Sequence, residues 1–206
     1  MSNQNKLKNN IYVKQKSYAN RGMTFESMIN ISNEQYFNKG IACMQKIPTE
    51  IIPIRDKTGK VCNVKICGKS TVDYVGRFLE IPVAVEAKST KKNRIPLNVV
   101  KENQRDFLDK WVKNNEGMGY VFVSFQDTEF YLIPWYAWKG SIIARKLKVK
   151  GKSDGKEIVP KELCYGINFE TTGMASLHKD ELPKEWEVKP NQNGILLPYL
   201  DNLKIY

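Results

Sequence analysis

Asp73, twelve intervening residues and then Glu86-Ala87-Lys88 form the pattern that most narrows what this chain can build. Val83-Ala84-Val85-Glu86-Ala87-Lys88 is short and dense in valine, which suits a buried strand better than a helix. Side chains alternate faces along a strand, so Glu86 and Lys88 share one face and Val83, Val85 and Ala87 the other. Thr71 to Phe78 also reads as a strand, and a two-residue turn at Leu79-Glu80 sets Asp73 opposite Glu86, unless a bulge near Pro82 slips the register by one. Two carboxylates that close either share a proton or recruit a cation. Mg²⁺, with Mn²⁺ as a substitute, suits them, because it takes oxygen ligands from one or two carboxylates, water and substrate phosphates. Lys88 would orient a water or stabilise a pentacovalent phosphorus, and phosphodiester hydrolysis follows from those parts. Taken alone, the pattern is also met by an Asp on a turn and a Glu/Lys alternation on a surface strand.

Charge adds to the case. The chain holds 33 Lys plus Arg against 22 Asp plus Glu, a net +11, which is the balance of a polyanion-binding protein. Residues 1–21 contain five basic side chains and no acid, and residues 139–156 contain seven basic side chains. The electrostatics do not separate DNA from RNA. No apolar stretch approaches the about 20 residues of a membrane span, and no signal-peptide core follows the polar start, so a soluble, cytoplasmic protein is expected. Four cysteines and one histidine, His178, lack zinc-finger spacing. Cys62 and Cys67 read as small apolar strand residues, and His178 as a solvated surface side chain.

At 206 residues a single domain with extensions is expected: a mobile basic arm over residues 1–20, then one domain over 21–206. Thr24 opens a helix that runs to a Gly40 stop, with Phe25, Met28, Ile29 and Tyr36 facing inward. Glu26 is either a first-turn acid of that helix or a third carboxylate of the metal site. Ile41–Ile47 reads as a strand. Residues 54–69 carry Arg55, Lys57, Lys60, Lys65 and Lys69 around Thr58-Gly59, as either a projecting basic hairpin or an ordinary edge hairpin. After Lys88 comes the basic loop Lys91-Lys92-Asn93-Arg94, then a helix from near Asn98, on whose inner stripe Gln104 needs a partner: a backbone group, or the metal. Strands at Met118–Phe125 and Glu129–Ile133 meet at Gln126-Asp127-Thr128, giving an α/β sandwich with a mixed sheet. Trp135, Tyr136 and Trp138 belong to the core or stack on bases.

Asn20-Arg21-Gly22-Met23-Thr24-Phe25-Glu26, Ser70-Thr71-Val72-Asp73-Tyr74, Glu86-Ala87-Lys88 and Ile95-Pro96-Leu97 with Gln104 together resemble the RecU family of Holliday-junction resolvases. The likeness covers roughly residues 18–150 and resumes at Pro198-Tyr199-Leu200-Asp201. It implies a restriction-endonuclease-like mixed β-sheet flanked by helices, with a basic β-hairpin stalk protruding ahead of the aspartate. It further implies a homodimeric, Mg²⁺-dependent endonuclease that nicks four-way DNA junctions symmetrically, and leaves room for a recombinase partner. By resemblance Asp73 and Glu86 are the metal carboxylates, Lys88 the catalytic lysine, Thr71 and Gln104 further residues of the metal site, and Glu26 an acidic position of the first helix. Arg21, Arg55, Lys57, Lys60, Lys65, Lys69, Lys91, Lys92 and Arg94 are the expected DNA contacts.

The chain departs from the family at Val72, where a second threonine is expected, and at Ala84, where an acid is expected. Residues 151–197 follow it poorly, and their charge mix around Lys184-Glu185-Trp186-Glu187 reads as a surface excursion. Two other readings stand beside the resolvase: a restriction or repair endonuclease of the same fold, and a noncatalytic nucleic-acid-binding protein.

Overall fold

The computed structural model describes residues 24–48, 51–66, 71–113, 117–150, 165, 167, 175–191 and 193–203. The N-terminal arm, Arg21, Cys67 and Lys69 lie outside them. Helix α1 (Phe25–Asn38) begins where Thr24 accepts the Ser27 N–H on its hydroxyl at 3.2 Å, and the chain leaves it through Gly40 at φ +67°. Phe25, Met28, Ile29 and Tyr36 are buried as the periodicity requires.

The chain continues through β1 (Ala42–Lys46), β2 (Ile51–Arg55), β3 (Val61–Ile66), β4 (Tyr74–Phe78), β5 (Ile81–Thr90) and β6 (Arg94–Pro96). Helix α2 (Glu102–Trp111) follows, then β7 (Met118–Phe125), β8 (Glu129–Pro134), α3 (Trp135–Lys150), β9 (Ser176–His178) and β10 (Glu187–Val188). Six strands form one sheet in the order β1-β4-β5-β7-β8-β10. Only β5 and β7 in it run parallel, which requires a long crossover, and α2 supplies it. The result is the expected mixed sheet flanked by helices.

Apolar clusters cover both faces of the central strands. Val83 and Val85 of β5 pack with α1, Tyr120, Phe122 and Phe130 on one side. Ala84, Val121, Val123 and Ile133 meet Leu108 of α2 and Trp135 and Trp138 of α3 on the other. A central strand buried on two sides reads as a continuous apolar run, which is how Val83-Ala84-Val85 is spelled. Trp135 and Trp138 are therefore core, at 2% and 0% exposure, and not a stacking surface for bases. Gly76 lets β1 close on β4, since a Cβ there would stand 2.0 Å from the Cys43 carbonyl oxygen.

Several expectations need correction. The second helix starts at Glu102 rather than near Asn98, because Leu97–Val99 forms a separate 3₁₀ turn and Val100 is extended. The hairpin begins at Ile51, and Pro53 lies inside β2 opposite Val64. Cys62 is exposed there. His178 is a quarter exposed; its ring nitrogen accepts the Asp180 N–H, so it caps a turn rather than being fully solvated.

The largest correction concerns the C-terminal segment. Leu177, Leu182 and Trp186 are buried against α2 and α3, and β10 adds the sixth strand, pairing Val188 with Phe130. Beyond it Leu197, Tyr199 and Leu200 pack under α1, where Ser32 Oγ accepts the Leu197 N–H at 2.8 Å and Tyr36 donates to Asp201 at 2.8 Å. The apolar side chains of the described part of this region therefore belong to the core, while Lys184 and Glu185 stay exposed. Among the described residues no helix is long and apolar enough to cross a membrane.

Replacing Trp186, 6% exposed, with alanine is expected to cost about 3–5 kcal/mol, the range for deleting a buried aromatic. Urea unfolding measures this, and a loss below about 0.5 kcal/mol, typical of surface positions, would mean that the segment is not core.

Candidate active site

The β4–β5 hairpin sets the register of the site. Phe78 pairs with Ile81 across Leu79-Glu80, with no bulge at Pro82, and the ladder ends at Tyr74 opposite Val85. Leu79 takes the positive φ of 52° that this tight turn needs. One step beyond the ladder Asp73 stands opposite Glu86, as the spacing predicts. Its carbonyl accepts the Ile47 N–H at 2.8 Å, and its Oδ2 accepts the Ala87 N–H at 2.8 Å. The aspartate is thus locked to the strand that carries the glutamate.

Glu86 is fully buried. Its Oε1 accepts the Gln104 amide at 2.6 Å and the Lys88 ammonium, while Oε2 has no hydrogen-bond partner. Burial pushes the Glu86 carboxyl up to about 7; the Asp73 charge adds to the rise and Lys88 opposes it. A buried carboxylate oxygen without a donor, beside a second carboxylate, is the electrostatic condition a hard cation relieves. The donor set fits a divalent metal held by Asp73 and Glu86. Among the described residues no group of three or more His, Cys, Asp or Glu is gathered, so water and substrate would complete the shell.

Gln104 is 8% exposed and reaches this site from α2. Its carbonyl accepts the Lys101 N–H at 2.9 Å, a cap at the helix start, and its amide nitrogen holds Glu86. In this geometry it orients the carboxylate instead of lending its carbonyl to a metal. Lys101 was not among the residues singled out from sequence. A glutamine at the third position of a helix is a capping signal, legible only with the start placed at Glu102.

The other expected residues are arranged less tightly. Thr71 and Asp73 both precede β4, and the chain bends at Asp73, so strand alternation does not relate the two side chains. Glu26 pairs with Lys46 at an exposed position. It approaches the site through Tyr74, whose hydroxyl is raised by burial first and then by the charges of Glu26 and Asp73. Arg55, Lys57, Lys60 and Lys65 are exposed on the β2–β3 hairpin, whose turn is tied by Asp56 accepting from Thr58 and Lys60. Lys91 and Lys92 are exposed on the loop after β5 and Arg94 at the start of β6, with Lys91 paired to Asp127.

A raised carboxyl makes a pH prediction for the metal-free protein. The native state holds the Glu86 proton more tightly than the unfolded chain, so this contribution is full below about 4.5 and is lost as pH rises to about 7. The loss amounts to about 3 kcal/mol. Subtracting the stability profile of Glu86→Gln from that of the wild type should isolate this fall, and an identical pH profile would refute it.

The model of the family described as "Recombination protein U" matches residues 20–163. The Holliday junction resolvase RecU of Streptococcus pneumoniae (strain Taiwan19F-14) is 34% identical over 128 residues, covering 59% of this chain and 64% of that protein. The Holliday junction resolvase RecU of Mycoplasmopsis pulmonis (strain UAB CTIP) is 36% identical over 115 residues, 55% of this chain and 69% of that one. The matched region is thus just under two thirds of the length of the streptococcal relative. Hjc, a Holliday junction resolvase from Archaeoglobus fulgidus, gives a TM-score of 0.33 at 11% identity over 53% of this chain and 73% of its own, too distant to bear on the argument. Because the family model spans well over half of the sequence, the chain belongs to the RecU family.

Proposed function

We propose that this chain is a divalent-metal-dependent endonuclease that resolves four-way DNA junctions by paired nicks, on a restriction-endonuclease-like sheet. The observation that carries the reading is the buried Glu86 with one free oxygen, opposed by Asp73 and flanked by Lys88, in a chain whose relatives are named Holliday junction resolvases. A pure binding protein gains nothing from a buried carboxylate set against a second one, since both repel phosphate.

Asp73 and Glu86 are the metal carboxylates. Mg²⁺, or Mn²⁺ in its place, would supply a Lewis acid that eases deprotonation of water and neutralises charge on the phosphodiester. Gln104 fixes Glu86 Oε1 so that Oε2 is presented to the cation. Lys88 is 19% exposed at the edge of the buried glutamate, placed to orient the attacking water or steady the developing charge on phosphorus. Glu26 acts through its charge near Tyr74, and Thr71 stands two residues before Asp73 in the chain.

Cleavage of four-way, three-way and linear duplex DNA tests this reading. Cutting should favour the four-way substrate, require Mg²⁺ or Mn²⁺ and stop in EDTA. Asp73→Ala and Glu86→Ala should abolish cutting while binding stays at wild-type strength or tightens, because the variants remove negative charge from a phosphate-binding surface. Full activity in EDTA, or equal cutting of all three substrates, would overturn the reading.

The chain acts as a homodimer in this proposal, since paired nicks on a twofold substrate call for two symmetric sites. The hairpin supports it: Ile51, Ile52, Ile54, Val61 and Val64 are 43% to 56% exposed, and a two-stranded hairpin with bare apolar faces is marginal in water unless covered. Lys57, Lys60 and Lys65 on the same hairpin meet DNA phosphates. Sedimentation equilibrium should give twice the chain mass. Replacing the three lysines with alanine should leave that mass unchanged and flatten the salt dependence of junction binding by up to about three phosphate contacts. A monomer that still makes paired nicks, or an unchanged salt slope, would refute the respective assignment.

A further inference from the structure

The basic loop Lys91-Lys92-Asn93-Arg94 leaves the strand that carries Glu86 and Lys88 and enters β6, a strand outside the six-stranded sheet. The partner of β6 is β9, in the C-terminal segment beyond the residues the family model matches. Arg94 pairs with His178, Ile95 with Leu177 and Pro96 with Ser176. On the loop side, the Lys179 N–H donates to the Asn93 carbonyl at 2.8 Å, and on the other, the Leu97 N–H donates to Ala175 at 3.2 Å. Lys179 then reaches Glu129, the first residue of β8, through an ion pair with side chains 18% and 30% exposed. At the near end of the loop Thr90 Oγ1 accepts the Lys92 N–H at 3.2 Å, and the Gln126 N–H donates to the Thr90 carbonyl at 2.7 Å.

The loop is therefore pinned at both ends, and its far pin is the segment Ala175–Glu181. That segment is a poor polyanion surface in itself: from 175 to 188 it holds Lys179 and Lys184 against Asp180, Glu181, Glu185 and Glu187. Its apolar side chains, Leu177, Leu182 and Trp186, are spent on the core. Among the described residues Lys92 and Arg94 are exposed and make no ion pair, so their charges face solvent from a backbone held rigid.

We propose that residues 175–181 are a positioning clamp that presents Lys92 and Arg94 to the DNA backbone at the end of the strand that carries Glu86 and Lys88, so that affinity for DNA is set partly by a segment that itself touches no DNA. Lys179 is its key positioning residue, linking Asn93 through its backbone and Glu129 through its side chain. A loop ordered before binding loses less conformational freedom on meeting phosphate, so its charges act at full strength. The clamp rests on the nuclease reading for its substrate but not for its geometry.

A double-mutant cycle on the full chain tests it, with four-way and linear duplex DNA as probes, Mg²⁺ omitted for binding and added for single-turnover cleavage. Lys92→Ala/Arg94→Ala should raise Kd by on the order of tenfold near 0.1 M salt and reduce the salt slope by about 1.8, the equivalent of two phosphate contacts. Lys179→Met should reproduce most of that loss while its own cleavage rate at saturating DNA stays at the wild-type value, and combining it with the loop variant should add little further loss of affinity. Glu129→Gln, which leaves every clamp residue in place and only weakens the ion pair, should move Kd in the same direction and serves if Lys179→Met fails to fold. Additive losses, or clamp variants that bind as wild type while the loop variant does not, would overturn the clamp alone. A wild-type chain with no affinity for either DNA would overturn the nuclease reading and the clamp together.

Discussion

The buried carboxylate of Glu86 is the constraint on which the rest of the site depends. A charge with no solvent exposure is tolerated only if its surroundings answer it, and here they answer it halfway. Oε1 receives an amide and an ammonium, Oε2 receives nothing, and the opposed Asp73 makes ionisation harder. The chain thus carries a deficit that a cation removes. Each neighbour of Glu86 is in turn fixed by backbone: Asp73 by the Ala87 N–H, Gln104 by the Lys101 N–H, Lys88 by sharing the strand. Such a site costs stability in the metal-free state and gains a donor geometry that needs little rearrangement.

That geometry requires a strand that cannot shift. β5 lies between antiparallel β4 and parallel β7, with apolar cores on both of its faces. A one-residue slip would push Glu86 into the aromatic cluster beneath α1 and Val85 into the carboxylate site. The short Leu79-Glu80 turn and the paired cores therefore set the register against the same error. Gly76 contributes on the neighbouring strand, where any side chain would force β1 away from β4.

Much of this was legible in the sequence because it is local. The valine-rich run, the two-residue turn and the Thr24 cap each announce themselves within a few residues, and the Asp73 and Glu86 opposition follows from counting across the turn. The inward glutamine was visible too, although its task depended on where the helix began. What escaped was long-range. β9 and β10 are three and two residues long, too short for any periodicity, and Trp186 sits between charged neighbours that suggest solvent. Their burial is decided by partners more than fifty residues away in sequence, β8 and β6, which no local pattern reports. Thr71 escaped for a different reason: the chain bends at Asp73, so alternation cannot be extended back through it.

A division of labour follows from where rigidity lies. Under the proposed function, the groups assigned to bond breaking stand on or next to strands and on a capped helix, whereas the basic groups assigned to phosphate stand on the β2–β3 hairpin and around the loop after β5. Hydrolysis tolerates little positional error, so its residues belong on elements that packing holds. Recognition of a branched substrate depends instead on how far charge extends from the body and at what angle. In the proposed function the motif Asp73, Glu86 and Lys88 accordingly carries chemistry without shape. In that proposal shape is read by elements that leave the sheet, the hairpin between β1 and β4 and the loop between β5 and β6. The proposed tasks are coupled through these attachment points, because Asp73 lies between the hairpin and β4, and β5 carries Glu86 and leads into the loop.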